Sequence, residues 1–81
     1  MNLTKSEENC LKAIYSVAER NNSEHVSNGD LGERLQIKPS SVTDMVKRLA
    51  DKELIGYAKY KGSTLTREGK QIAIRVIRKH R

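Results

Sequence analysis

Apolar residues recur at helical spacing in four separate stretches of the chain: Leu11, Ile14, Val17 and Ala18; Leu31 and Leu35; Val42, Met45, Val46 and Leu49; and Ile72, Ala73, Val76 and Ile77. Each set falls on one face of a 3.6-residue helix, which predicts amphipathic helices sharing one core. Between the third and fourth stretches the period changes to two. Leu54-Ile55-Gly56-Tyr57-Ala58-Lys59-Tyr60 and Ser63-Thr64-Leu65-Thr66 alternate on either side of Lys61-Gly62, which predicts a β-hairpin with a Lys-Gly turn.

Local chemistry marks where these elements begin and end. Thr4 and Glu7 form a capping box ahead of a first helix running from Lys5 to about Arg20, with Leu3 placed as its hydrophobic staple. Asn21-Asn22-Ser23 ends that helix. His25-Val26 then reads as a short extended segment, with Val26 expected to pair with the later hairpin. Ser27 caps a second helix from Asn28 to about Leu35, whose first turn carries Asp30 where the helix dipole favours negative charge. Gln36-Ile37-Lys38 is the turn, and Pro39 opens a third helix to about Lys52 with its φ already set. Lys38 stands at the cap position of that helix, where Ser or Asp would serve better. Thr66-Arg67-Glu68-Gly69 opens the fourth. The order α-α-α-β-β-α is a mainly α winged helix-turn-helix with a small β-hairpin.

Composition narrows the possibilities. At 81 residues, with no Trp and no Phe, the chain is one domain (1–81) whose core must come from aliphatic side chains and Tyr. No apolar run approaches the roughly 18 residues that span a bilayer. The N-terminus carries no signal-peptide apolar region, and the single cysteine, Cys10, rules out an intramolecular disulfide, so a cytoplasmic location is expected. The closing Arg75-Val76-Ile77-Arg78-Lys79-His80-Arg81 has no stop signal and leaves Val76 and Ile77 wanting a packing partner. The natural chain is therefore expected to continue past Arg81.

Charge is unevenly spread. Residues 1–46 hold five Lys/Arg against seven Asp/Glu, a net of −2, and residues 47–81 hold eleven against three, a net of +8; together these give the chain's +6. A basic half in so small a domain is the electrostatic footprint of a nucleic-acid binder. The same inventory argues against catalysis. His25 and His80 lie in different elements, no Ser-His-Asp set or phosphate loop is evident, and no zinc site follows from one Cys and two His.

The third helix carries the candidate reading surface. Ser40, Ser41, Thr43, Asp44 and Lys47 occupy outward positions near its start, where a helix docked end-first in a major groove meets base edges, while Pro39 and Lys38 sit at its tip. Ser and Thr hydroxyls can donate or accept, the Thr43 methyl can meet a thymine methyl, and Asp44 either accepts from a cytosine amine or orients a nearby cation. Lys59, Tyr60, Lys61 and Ser63 gather at the hairpin tip as a wing, and Arg67 and Lys38 are further phosphate candidates.

Four stretches together resemble the N-terminal domain of the iron- and manganese-dependent repressors, the family of the diphtheria toxin repressor and the manganese transport regulator. They are Thr4-Lys-Ser-Glu-Glu-Asn-Cys-Leu-Lys-Ala-Ile-Tyr15, Val26-Ser-Asn-Gly-Asp-Leu31, Pro39-Ser-Ser-Val-Thr-Asp-Met45 and Tyr60-Lys-Gly-Ser-Thr-Leu-Thr-Arg-Glu-Gly69, with Ile77-Arg-Lys-His-Arg81 closing the match. The resemblance implies a homodimeric repressor of metal-uptake genes, activated by manganese or iron, that binds double-stranded operator DNA. Its dimerisation helices and most metal ligands would follow Arg81. It also implies a metal position at Asn9, where iron-type members carry Met and manganese-type members Asp, and another at His80. Lys12 falls where manganese-type members place a second carboxylate, and a charged Lys cannot ligate. Metal is accordingly expected in the full-length protein and not in this stretch alone. Two other readings compete: a metal-independent winged-helix regulator, and a winged helix whose basic face meets acidic protein.

Overall fold

A capping box opens the first helix as the sequence requires. Thr4 Oγ1 accepts from the Glu7 amide at 3.1 Å, and the Glu7 carboxylate accepts from the Thr4 amide at 3.0 Å. The computed structural model describes residues 3–58 and 62–79, and within them the elements run α1 (Lys5–Asn21), α2 (Asn28–Leu35), α3 (Pro39–Asp51), β1 (Ile55–Ala58), β2 (Gly62–Leu65) and α4 (Arg67–Lys79). Ser27 Oγ caps α2 through the Asp30 amide at 3.1 Å. Thr66 Oγ1 accepts from the Gly69 amide at 3.1 Å at the head of α4 and donates to the Glu53 carbonyl at 2.9 Å. That second bond ties the start of α4 to the turn that leaves α3. At the head of α3 Lys38 makes no side-chain cap, and Pro39 stands at the first helical position.

The core is aliphatic and centred on α1. Cys10, Leu11, Ala13, Ile14 and Val17 are buried against Leu31 of α2, Val42, Val46 and Leu49 of α3, Leu54 and Ile55 at the hairpin base, and Ala73 of α4. Each fully buried Leu, Ile or Val contributes roughly 1.5–3 kcal/mol over its exposed state, so a core without Phe or Trp needs all of them. Met45, expected in the buried stripe of α3, is only half-buried, at the edge of the cluster with Leu35 and Ile37. Cys10 is fully buried, and desolvation, aided by the Glu7 carboxylate, pushes its thiol up to about 12.

The two strands pair antiparallel in a register from Ile55↔Leu65 to Ala58↔Gly62. Val26 adds a further rung, donating to the Ser63 carbonyl and accepting from the Ser63 amide, both at 2.8 Å. This confirms the expected pairing of Val26 with the hairpin. It also corrects the expected turn: Gly62 is the first residue of β2, not a turn residue. Its φ of +97° lies in the left-handed region, and a Cβ there would stand 2.3 Å from the Val26 carbonyl oxygen. Glycine is required twice over, for torsion and for room.

Gly69 is as tightly confined, since a Cβ would meet the Leu54 carbonyl oxygen at 2.0 Å, whereas at Gly29 the nearest atom, Ser27 Oγ, is 3.9 Å away. Gly69→Ala is expected to cost about 2 kcal/mol despite the better helix propensity of Ala. Gly29→Ala is expected to be neutral or mildly stabilising. Urea denaturation of the two variants measures the contrast.

Candidate nucleic-acid interface

The helix-turn-helix is closed tightly by backbone bonds. Gln36, in the left-handed conformation at φ 57°, and Ile37 both donate to the Gly32 carbonyl, the latter at 3.1 Å. A Cβ on Gly32 would stand 3.2 Å from the Ile37 carbonyl oxygen and 3.5 Å from a Val42 methyl, so the small residue lets α2 and α3 meet across a short turn. Val42, Val46 and Leu49 anchor the inner face of α3. The opposite face is thereby held in solvent.

On that face Lys38, Pro39, Ser40, Ser41, Asp44 and Lys47 are all exposed, and Thr43 is half-buried on its flank. The Thr43 hydroxyl donates to the Pro39 carbonyl at 3.1 Å, so its proton is already engaged. At a base edge Thr43 offers a lone pair or its methyl, a narrower choice than the sequence alone suggests. Arg48 is exposed one helical turn from Asp44 and belongs to the same surface by helical spacing. Arg67, at the start of α4, is exposed as well.

Ser63 departs from expectation. Placed by the sequence among the wing-tip contacts, it is 0% exposed, and its amide and carbonyl are both spent on Val26. Its backbone is paired with Val26 at the sheet edge and its side chain has no exposed surface, so it does not belong to a solvent-facing contact surface. Lys59, Tyr60 and Lys61 lie outside the described residues. Tyr57, on the wing strand opposite Ser63, is 57% exposed and is the large apolar side chain most open to solvent among the described residues. The alternation that defined the hairpin gave no reason to single it out.

Asn9 is exposed on α1, Lys12 is half-buried one turn further along the same face, and His80 lies outside the described residues. Among the described residues no three His, Cys, Asp or Glu side chains gather where a cation could be held. An amide oxygen one helical turn from an ammonium is a poor donor set, so Asn9 and Lys12 do not by themselves fit a resident metal.

One electrostatic contact joins α1 to α3. Lys52, just past the end of α3, reaches the carboxylate of Glu7 at 2.7 Å, and Glu7 is almost fully buried. No other ion pair occurs among the described residues. Lys38, Lys47, Arg48 and Arg67 are thus unpaired there and open to phosphate. The ammonium of Lys52 beside it, and then the Thr4 amide, hold the Glu7 carboxyl below its ordinary value near 4.5, against the opposing effect of burial.

Comparison with known proteins gives the family of the domain. The family described as "Iron dependent repressor, N-terminal DNA binding domain" matches residues 2–63. The chain belongs to that family. The iron dependent repressor domain is a DNA-binding module and not an enzyme. Relatives include the HTH-type transcriptional regulator MntR of Bacillus subtilis (strain 168), 40% identical over 77 residues covering 95% of this chain and 53% of that protein. The MntR of Geobacillus kaustophilus (strain HTA426) is 39% identical over the same span and shares. The chain therefore spans about half the length of the curated relatives it matches. Among solved structures, the manganese regulator SloR superposes with a TM-score of 0.78 at 35% identity, over 98% of this chain and 36% of SloR. ScaR with bound Zn2+ superposes at 0.77 and 31%, over 93% of this chain and 34% of ScaR. Both likenesses support the winged helix-turn-helix fold.

The Glu7–Lys52 pair has a pH signature. A carboxyl held below its ordinary value in the folded protein binds fewer protons there than in the unfolded chain, so acidification favours unfolding. Its contribution is whole above about pH 4.5 and is lost as pH falls through the depressed folded value. Glu7→Gln is expected to flatten the acid limb of the stability profile below about pH 4.5 while lowering stability at neutral pH. Urea titrations across pH 3–7, as an order-of-magnitude window about that value, check it. An unchanged acid limb in Glu7→Gln would count against the pair.

Proposed function

We propose that this chain is the DNA-reading domain of a metal-dependent transcriptional repressor, one that binds operator DNA through α3 and the wing and controls metal-ion uptake genes. The observation that carries the reading is the solvent face of α3. Short polar side chains stand at its tip and unpaired cations along it, fixed by a buried opposite face in a domain of the iron dependent repressor family. Ser40, Ser41, Thr43, Asp44 and Lys47 meet base edges, while Lys38, Arg67 and the wing residues Lys59, Tyr60 and Lys61 meet the backbone. Sequence preference built on hydroxyls is modest, so the shape of the duplex contributes to selection.

Dimerisation and metal control belong, in this proposal, to the full-length protein, through residues after Arg81 acting with His80. The relatives support a divalent metal as effector, since one solved neighbour is called a manganese regulator and another holds Zn2+. Manganese or iron is the proposed effector, and the cytoplasm the proposed location. A second reading is favoured by Lys12: a cation one turn after Asn9 on α1 opposes a metal there, and fits a regulator that binds DNA without metal.

Titrating the full-length protein with manganese, iron and zinc against a promoter fragment separates these readings. Metal-dependent retention is expected, and equal retention in the presence of a chelator would select the metal-independent regulator. Within the DNA-binding face, Lys38→Ala should weaken binding to every sequence alike and lower the salt slope by about one unit for each phosphate no longer neutralised. A weakening confined to the preferred site would remove Lys38 from the residues that grip the backbone.

A further inference from the structure

Asp44 is a carboxylate in the middle of the face that meets DNA, where every other charge on α3 before its last residue is positive. An exposed helical Asp can serve as a cap, as a dipole partner or in an ion pair, and Asp44 does none of these among the described residues. It is not a cap, since Lys38 holds that position without a side-chain bond. It is not placed for the helix dipole: the first turn of α3 carries no acidic residue, and the field has decayed by the second turn. Nor is it paired among the described residues, although Lys47 and Arg48 stand three and four residues ahead, the spacings at which an Asp meets a cation on a helix. The ion pair found among the described residues is that of Lys52 with Glu7. A negative charge there also repels the phosphates that the neighbouring cations attract.

Placement then decides what Asp44 meets. It lies about 7.5 Å along the axis from Pro39 at 1.5 Å per residue, a distance comparable to the roughly 8.5 Å depth of a B-DNA major groove. Asp51 lies about 18 Å from Pro39 and is out of reach of a helix docked by its tip. An unpaired carboxylate in a major groove has one kind of favourable partner, an exocyclic amine. Cytosine N4 presents that donor with no acceptor on the same base edge, whereas adenine sets N7 beside N6. We propose that Asp44 is a specificity-determining residue that selects cytosine at one position of each half-site. It does so by accepting from N4 and by repelling bases that present only acceptors, guanine and thymine. This assignment rests on the DNA-reading role of α3 given above.

The test is selection from a duplex library with a randomised window of about 20 base pairs, enough for two half-sites. The full-length protein is used with manganese, and Asp44→Asn, Asp44→Ala and Arg48→Ala are run in parallel. The wild type is expected to enrich cytosine at one position per half-site. Asp44→Asn should shift that position toward adenine, which an amide reads through N6 and N7. Asp44→Ala should bind the enriched site about tenfold more weakly, the size of one base contact, and bind random duplex as well as or better than the wild type. An unchanged cytosine preference in Asp44→Asn overturns the assignment alone. So does Arg48→Ala reproducing the Asp44→Asn profile, because Asp44 would then act by holding Arg48. If the wild type retains no duplex of any sequence, the DNA reading fails and this assignment with it.

Discussion

Burying the inner stripe of α1 is the constraint on which the remaining packing depends. Cys10, Leu11, Ala13, Ile14 and Val17 reach α2, α3, the hairpin base and α4, so one helix supplies the shared wall of a core with no large aromatic ring in it. The sealed Glu7 carboxylate extends that role. It closes the first turn of α1 and also holds Lys52 just beyond α3. A charge buried to this degree is tolerable because both its oxygens are satisfied: Oε1 accepts from the Thr4 amide and Oε2 from the Lys52 ammonium. The orientation of α3 is therefore set from two sides, by aliphatic contacts along its length and by an ionic tether at its end.

Much of this was legible from residue order because the signals are local. Caps at Thr4, Ser27 and Thr66, the proline at the head of α3 and the helical stripes each specify their own stretch of backbone, and the structure places those elements within a residue or two of their expected limits. The exposed face of α3 followed from the same periodicity, since fixing Val42, Val46 and Leu49 inward leaves Ser40, Ser41, Asp44 and Lys47 outward. What the sequence hid is non-local. Alternation alone reveals neither that Val26 will pair beside Ser63 nor that the serine, which read as a wing-tip contact, will be buried. Glu7 and Lys52 are 45 residues apart, and no short-range pattern connects them. The Thr43 hydroxyl is likewise engaged by its own helix, a bond that composition does not announce.

The division of labour in the domain follows from these differences. Positions that fix the geometry are glycines pressed against carbonyl oxygens and aliphatic residues with no exposure. Positions on the exposed face of α3 are polar and mostly unengaged. Gly32, Gly62 and Gly69 each stand where a methyl group would crowd a backbone carbonyl of another segment, so the turn, the wing base and the head of α4 are all held by close main-chain approach. The fit of the surface to a duplex can then vary through side chains on α3 without disturbing the frame beneath it.

Cys10 illustrates what such burial means for signalling. Its sulfur has no exposed surface, and proton loss is pushed to about 12, so the nucleophilic thiolate is essentially unpopulated at neutral pH. Thiol-directed electrophiles and disulfide exchange find no handle on this domain, since no second thiol is present in the sequence to take its place. Thiol chemistry in the surroundings therefore leaves Cys10 untouched.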